Sequence, residues 1–282
     1  MSEEGLTVET QPAEAVFALL SNDTRIEILR VLAAADGPLP FSELYDRVGL
    51  RDSGQFNYHL QKLAGTFIKQ GDEGYELTIA GMQVVGALIA GTYTATATLD
   101  PIELDDPCPK CGTRSVVVTY NDEHAHVTCT ACDEFHNQYS FPPGTLSQYD
   151  RAELPAAFDR WIRVLFYHIT AGFCVNCAGR LSGSLDAAND PPRFEWRCER
   201  CGDIAIAEVS SPVFFHPALQ GFLYDRGIGP KETPTWRLFG SDELEITTDD
   251  SGVTIAITID AETLTATIDT TGMVTSVSRT DR

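Results

Sequence analysis

The sequence predicts an α+β fold, and three observations carry that expectation. Apolar residues recur at helical spacing from Pro12 to about Thr66. All eight cysteines fall into four Cys-x-x-Cys pairs, and from Thr235 onward apolar residues alternate with threonine.

Residues 1–11 are acidic and polar, which predicts a disordered tail. Pro12 to Leu20 reads as a first helix with Ala15, Val16, Leu19 and Leu20 on its apolar side. Ser21, Asn22 and Asp23 are cap candidates for the next helix, whose apolar residues stand at 26, 28, 29 and 32. Phe41 to Val48 reads as a short helix opened by Ser42 and closed by Gly49. A fourth helix is expected from Ser53 to about Thr66. Phe56, Leu60 and Leu63 are spaced i, i+4, i+7 on it and must face a core. Phe67–Gln70 and Tyr75–Thr78 flank Gly71-Asp72-Glu73-Gly74 as a β-hairpin. Ile79 to Ala90 is a helix apolar on nearly every side, so it must be covered on all sides. A second chain can cover it, as can the rest of one chain; the small residues Gly81, Gly86 and Ala87 favour the close approach of a homodimer through residues 79–90.

Helices followed by such a hairpin make an N-terminal winged helix-turn-helix domain, residues 12–98. The exposed front of its fourth helix carries Gln55, Tyr58, Gln61 and Lys62, with Asn57 and His59 on the flanks and Ser53 at its start. Amide side chains bond adenine edges, and a lysine reaches guanine or phosphate, so this front suits the major groove of double-stranded DNA. The runs "LLSNDTRIEILRVL" and "NYHLQKL", with the hairpin after them, resemble the ArsR-like family of winged-helix transcriptional regulators over roughly residues 12–91. The resemblance implies base contacts at Gln55, Asn57, Tyr58 and His59, and a wing contact near Gly71–Gly74. The thiolates that some members use for metal sensing on the preceding helix are replaced here by Glu43-Leu44-Tyr45-Asp46.

A net charge of −21 runs against a nucleic-acid partner, which normally implies a basic footprint. Residues 1–98 hold 6 Lys+Arg against 13 Asp+Glu. Only 4 of the 20 basic residues are lysine, and acids are spread along the whole chain, the pattern of salt-accumulating halophilic archaea. In molar salt a phosphate contact contributes little, because each loses about 0.9 decade of affinity per decade of salt. Acidity there serves solubility and says little about partners. No apolar run is long enough for a membrane span and the N-terminus lacks a signal-peptide pattern, so a cytoplasmic protein with reduced thiols is expected.

The Thr-rich, then Asp- and Pro-rich stretch Gly91–Pro107 reads as the domain boundary, with residues 99–282 as the second region. Cys108/Cys111 and Cys129/Cys132 form one set; Cys174/Cys177 and Cys198/Cys201 form another. The pairs are separated by 17 and 20 residues, the spacing of tetrathiolate zinc sites. Each set brackets a hairpin, so residues 108–132 and 174–201 read as two zinc ribbons, an internal duplication offset by 66 and 69 residues. Four thiolates leave no open position, so two structural Zn2+ per chain are expected. His124, His126 and His136 read as ordinary hairpin residues. Strand-like Glu134–Phe141 and Ile204–Val209 each lead to a helix, near Leu154–Thr170 and Pro217–Arg226. The first of these has Ala157, Trp161, Val164, Leu165 and His168 on one stripe, His168 being read as a hydrogen-bonded core residue.

From 235 to 279 short runs (Trp236–Phe239, Leu244–Thr247, Val253–Ile259, Leu264–Ile268, Val274–Val277) predict an antiparallel β-meander with one wet Thr/Asp face, either a cover for the ribbons or an effector pocket. The chain shows no Ser/His/Asp constellation, phosphate-binding glycine loop or open metal site, so no enzyme is expected. As a whole it resembles haloarchaeal ArsR-like proteins with C-terminal zinc ribbons, which implies a DNA-binding transcription regulator with an undefined effector. The competing expectation is an adaptor that docks on the transcription or translation machinery through its ribbons.

Overall fold

The computed structural model describes residues 7–229, 233–238 and 244–281 and is α+β. Its contacts divide it into two units, 1–95 with 143–145, and 96–142 with 146–282. Of the expected tail, residues 1–6 lie outside the described residues, and 7–11 are exposed and without regular structure. No helix among the described residues is long and apolar enough to cross a membrane.

The first unit runs α1 (Ala13–Ala18), α2 (Asp23–Ala33), α3 (Phe41–Val48), α4 (Ser53–Leu63), β1 (Ile68–Gln70), β2 (Tyr75–Leu77) and α5 (Ile79–Ile89). Asn22 caps α2 by accepting from the Arg25 N–H at 3.2 Å. Ser42 does not open α3: the helix follows Pro40, whose fixed φ is already suited to a helix start, and no side chain caps it. It closes at Gly49 in the left-handed region, φ 74°. The opening of α4 belongs to Asp52, whose Oδ1 accepts from Gly54 N at 2.7 Å and Gln55 N at 3.1 Å. That helix ends at Leu63 rather than Thr66. Ala64 is extended and bridges to Ile68, and Gly65 (φ 82°) donates to the Ile68 carbonyl at 2.9 Å.

Ile28, Leu29, Leu44, Phe56, Leu60, Leu63 and Ile68 are fully buried in one cluster. The hairpin pairs Ile68 with Leu77 and Gln70 with Tyr75, and Leu39 extends it through two bonds to Tyr75, at 3.0 and 2.8 Å. Gly74 is required there: at φ 141° a Cβ would stand 2.3 Å from the Leu39 carbonyl oxygen. On α5, Gly81 and Val85 are buried, whereas Ile79, Met82 and Ile89 are 72%, 54% and 62% exposed. The helix is therefore not covered on all sides within its own chain. A bare apolar stripe remains.

The second unit begins with β3 (Leu99–Leu104), which falls inside the stretch read as a boundary. Its Asp100-Pro101 dipeptide masks the strand signal, but Ile102, Glu103 and Leu104 pair with Val118, Val117 and Val116. There follow β4 (Val116–Asn121), β5 (His124–Cys129) and β6 (His136–Ser140), in the antiparallel order β3-β4-β5-β6. After α6 (Leu154–Thr170) the arrangement recurs as β7 (Leu181–Asp186), β8 (Arg193–Cys198) and β9 (Ile204–Glu208), in the order β7-β8-β9. Then come α7 (Ser211–Phe214), which was not expected, and α8 (Pro217–Tyr224). The final sheet is β10 (Leu244–Asp249), β11 (Gly252–Ile259), β12 (Glu262–Asp269) and β13 (Val274–Asp281), an antiparallel meander in sequence order.

Two cores lie in this unit. Val116, Val118, Tyr120, Val127 and Phe141 meet Phe158 and Trp236 in one. Phe194, Trp196, Phe215 and Phe222 meet Val253, Ile255, Ile257, Leu264 and Ile268 in the other. The inner face of the meander is thus filled by ribbon and helix side chains, and it acts as a cover. Helix α6 serves both cores, with Phe158 in the first, Phe166 and Ile169 in the second, and Ile162 against each. Ala157 is buried and Trp161 and Leu165 pack against the first core, but His168 is exposed, not a core residue, and Val164 is 44% exposed; Leu154, Phe158, Phe166 and Ile169 complete the buried face. Trp236 is not on a strand. Thr235–Arg237 is one 3-10 turn after Pro234, and Phe239 lies outside the described residues. Two buried carboxylates pin that turn. Asp159 accepts from Thr235 N (2.7 Å), Thr235 Oγ1 (2.8 Å) and Arg163 Nε (2.9 Å), while Asp106 accepts from Trp236 Nε1 (2.7 Å) and from Arg237.

Candidate metal centres and nucleic-acid interface

Each cysteine set closes into a quartet. The ligand sulfurs of Cys108, Cys111, Cys129 and Cys132 lie within 4.8 Å of one another, as do those of Cys174, Cys177, Cys198 and Cys201. Cys108–Cys132 and Cys111–Cys129 are 3.8 and 3.7 Å apart; Cys174–Cys201 and Cys177–Cys198 are 3.7 and 3.5 Å apart. A disulfide needs about 2.05 Å, so these are not bonded pairs. Four sulfurs at about 2.3 Å from a tetrahedral ion stand about 3.8 Å apart, which is the spacing found. Each quartet can therefore hold one metal ion such as zinc.

The backbone around each pair is folded for charged sulfur. The N–H groups of Lys110, Ala131, Asn176 and Arg200 donate to Sγ of Cys108, Cys129, Cys174 and Cys198 at 3.3–3.4 Å. The turn after Cys111 and Cys201 needs positive φ, supplied by Gly112 (73°) and Gly202 (77°); Ala178 takes the same place after Cys177 at 54°. Thr113, which spacing did not single out, places its hydroxyl 3.0 Å from Cys111 Sγ. That contact draws the Cys111 thiol down to about 6, and the backbone N–H of Cys201 does the same for Cys198, also to about 6. Burial pushes Cys108 and Cys174 up to about 12. Each quartet thus combines a sulfur that ionises readily with a buried one that resists ionisation, and a bound cation favours the thiolate form of all four.

Of the residues expected at base edges, Ser53, Gln55, Asn57, Tyr58, Gln61 and Lys62 are all exposed on α4. Tyr58 is 58% exposed, and Lys62 Nζ lies 5.6 Å from its ring centre. His59 departs from the expectation: it is 8% exposed, its Nδ1 lacks a hydrogen-bond partner among the described residues, and burial followed by the Arg25 charge lowers its pKa. Its position on the helix turns it toward the core side, next to Leu60, so it cannot meet a base. Charge is also local. From Arg51 to Gln70 there are three cations, Arg51, Lys62 and Lys69, against the single acid Asp52, whose carboxylate is occupied by the cap. The hairpin tip is less suitable. Asp72 and Glu73 are exposed there and repel phosphate, and Lys69 is paired with Glu76 at 3.1 Å.

Residues 105–274, more than half of the chain, match the family described as Domain of unknown function (DUF7351), and residues 12–88 match the one described as Domain of unknown function (DUF7347). No curated protein and no solved structure matches the chain.

Proposed function

The chain belongs to the DUF7351 family, whose description assigns no activity, and from its own residues we propose that it is a DNA-binding transcription regulator of the winged helix-turn-helix type. One observation carries the reading. The α4 front is polar, exposed and free of acids in a chain of net charge −21, while the back of the same helix is fully buried. A helix held rigidly from behind, presenting amides, a phenol and a lysine, is suited to the major groove. Gln55, Asn57 and Gln61 supply the amides, and Ser53 and Lys62 stand at the two ends.

The bare stripe Ile79–Met82–Ile89 on α5 supports a homodimer, because apolar side chains at i, i+3, i+10 suit the same face of a second copy. Exposed Phe17 on α1 (68%) adds to the apolar surface of this unit. The quartets, in this reading, hold two structural Zn2+ that fix the ribbons and leave no open coordination position.

A gel shift in molar KCl with DNA upstream of the protein's own coding sequence tests the proposal. The expected result is a shift that Gln55→Ala with Tyr58→Ala weakens at least tenfold, at unchanged melting temperature. A second reading, an adaptor docking through its ribbons, is favoured by exposed Ile204 and Ile206 on the edge strand β9. On that reading the double variant changes nothing, and substitutions of Ile204 and Ile206 abolish partner binding instead.

A further inference from the structure

Three imidazoles that the sequence treats as unremarkable come together on the outer face of the first ribbon. On β5, His124 and His126 point to the face opposite Ala125 and Val127, which are buried in the core. On the neighbouring strand β6, His136 stands opposite Thr128, one diagonal step from His126. The ring centres of His124 and His126 are 6.3 Å apart, and those of His126 and His136 are 5.8 Å apart. His126 is the middle of the row.

Two features distinguish this row from solvent-facing histidines. The His124 Nδ1 lies 2.5 Å from the Asp122 carbonyl oxygen, so Nδ1 carries the proton and Nε2 is left as a lone-pair donor. A backbone-held imidazole of this kind is the usual support of a metal ligand. His126 Nε2, for its part, is buried and has no hydrogen-bond partner among the described residues. A buried polar atom left unpaired is destabilising, so it favours any group that satisfies it. Burial, and then the nearby His136 and His124, lower the His126 pKa.

We propose that His126 and His136 form a third metal site, a cross-strand imidazole pair for a borderline divalent ion such as Ni2+, Cu2+ or Zn2+, with His124 beside it. Imidazole nitrogen suits these ions, whereas Mg2+ and Ca2+ require oxygen. Two imidazoles bonded to one ion at about 2.0–2.1 Å set their ring centres about 4.5 Å apart at a right angle and about 5.2 Å apart at a tetrahedral one, so this pair, at 5.8 Å, has to close by about 1 Å. Among the described residues no group of three or more ligands other than the cysteine quartets has its atoms within 4.8 Å of one another, so the three imidazoles do not converge without ring rotation. His136 is exposed and free to make it. With two protein ligands the ion retains water and exchanges, unlike an ion enclosed by four thiolates. The site does not depend on the DNA-binding reading, nor does that reading depend on it.

The test is titration of the full chain, loaded with Zn2+ and then desalted, with Ni2+ by calorimetry, zinc content being measured before and after. The expected result is one Ni2+ bound per chain with zinc retained, weakened at least tenfold by His126→Gln and by His136→Gln, and less by His124→Gln. His136→Gln, at an exposed position, gives the answer even if the His126 variant misfolds. Absence of Ni2+ binding, or binding that both variants leave unchanged, overturns the proposal.

Discussion

At the residue scale, two positions show how backbone and burial set local stability. Ala178 holds the left-handed conformation that Gly112 and Gly202 hold in the other turns, at a cost of about 1–2 kcal/mol for a side chain with a Cβ. Ala178→Gly should therefore stabilise the second ribbon by up to about 1 kcal/mol, offset in part by the greater freedom of glycine in the unfolded chain. Thermal melts of the two proteins check this; a lower melting temperature for the variant would contradict it. His59 has the opposite effect. Its folded pKa lies below the ordinary 6.5, so the unfolded chain binds more protons, and stability rises with pH across that interval. The contribution is complete above about pH 6.5 and is lost as the pH falls below it. Melts at pH 5 and pH 7.5 should differ by less in His59→Leu than in the parent.

At the element scale, α4 is held by its back and by its cap. Phe56 is fully buried, stacked edge-on against Phe41 and Tyr45 at 5.2 and 5.3 Å, so Phe56→Ala should cost about 3–5 kcal/mol. Asp52→Ala removes the acceptor of two N–H groups and should cost about 1 kcal/mol, read by urea melts of the variant. Much of this helix was legible in the sequence, because i, i+4, i+7 spacing reports a buried stripe. Its ends were less so: the cap lay one residue earlier than Ser53, and Gly65 stopped the helix through backbone pairing that periodicity does not encode. The same limit explains β3, disguised by Asp100-Pro101, and the turn at Trp236, set by Asp106 more than a hundred residues away. The cysteine quartets were fully legible, since ligand spacing alone fixes them. The imidazole row was not, because it depends on the register that places His136 beside His126.

At the scale of the whole molecule, the second unit closes the ends of two small sheets with the quartets and joins its sheets through the two cores and the bridging helix α6. Metal analysis should find two zinc per chain, and chelation should unfold residues 108–201 before the N-terminal helices. Acid acts in the same direction. Protons compete with the ion for the sulfurs of each quartet, so zinc content should fall as the pH is lowered. A zinc content that stays constant through acid unfolding would contradict this. The central claim concerns the first unit, that the α4 front of paired subunits reads base-pair edges. Methylation interference on shifted DNA tests it most directly, because N7 of guanine lies in the major groove. The account predicts interference at two half-sites about 10 base pairs apart, or a multiple of that spacing, lost in Gln55→Ala with Tyr58→Ala. A stable shift with no N7 interference, or interference that the double variant leaves in place, would contradict it.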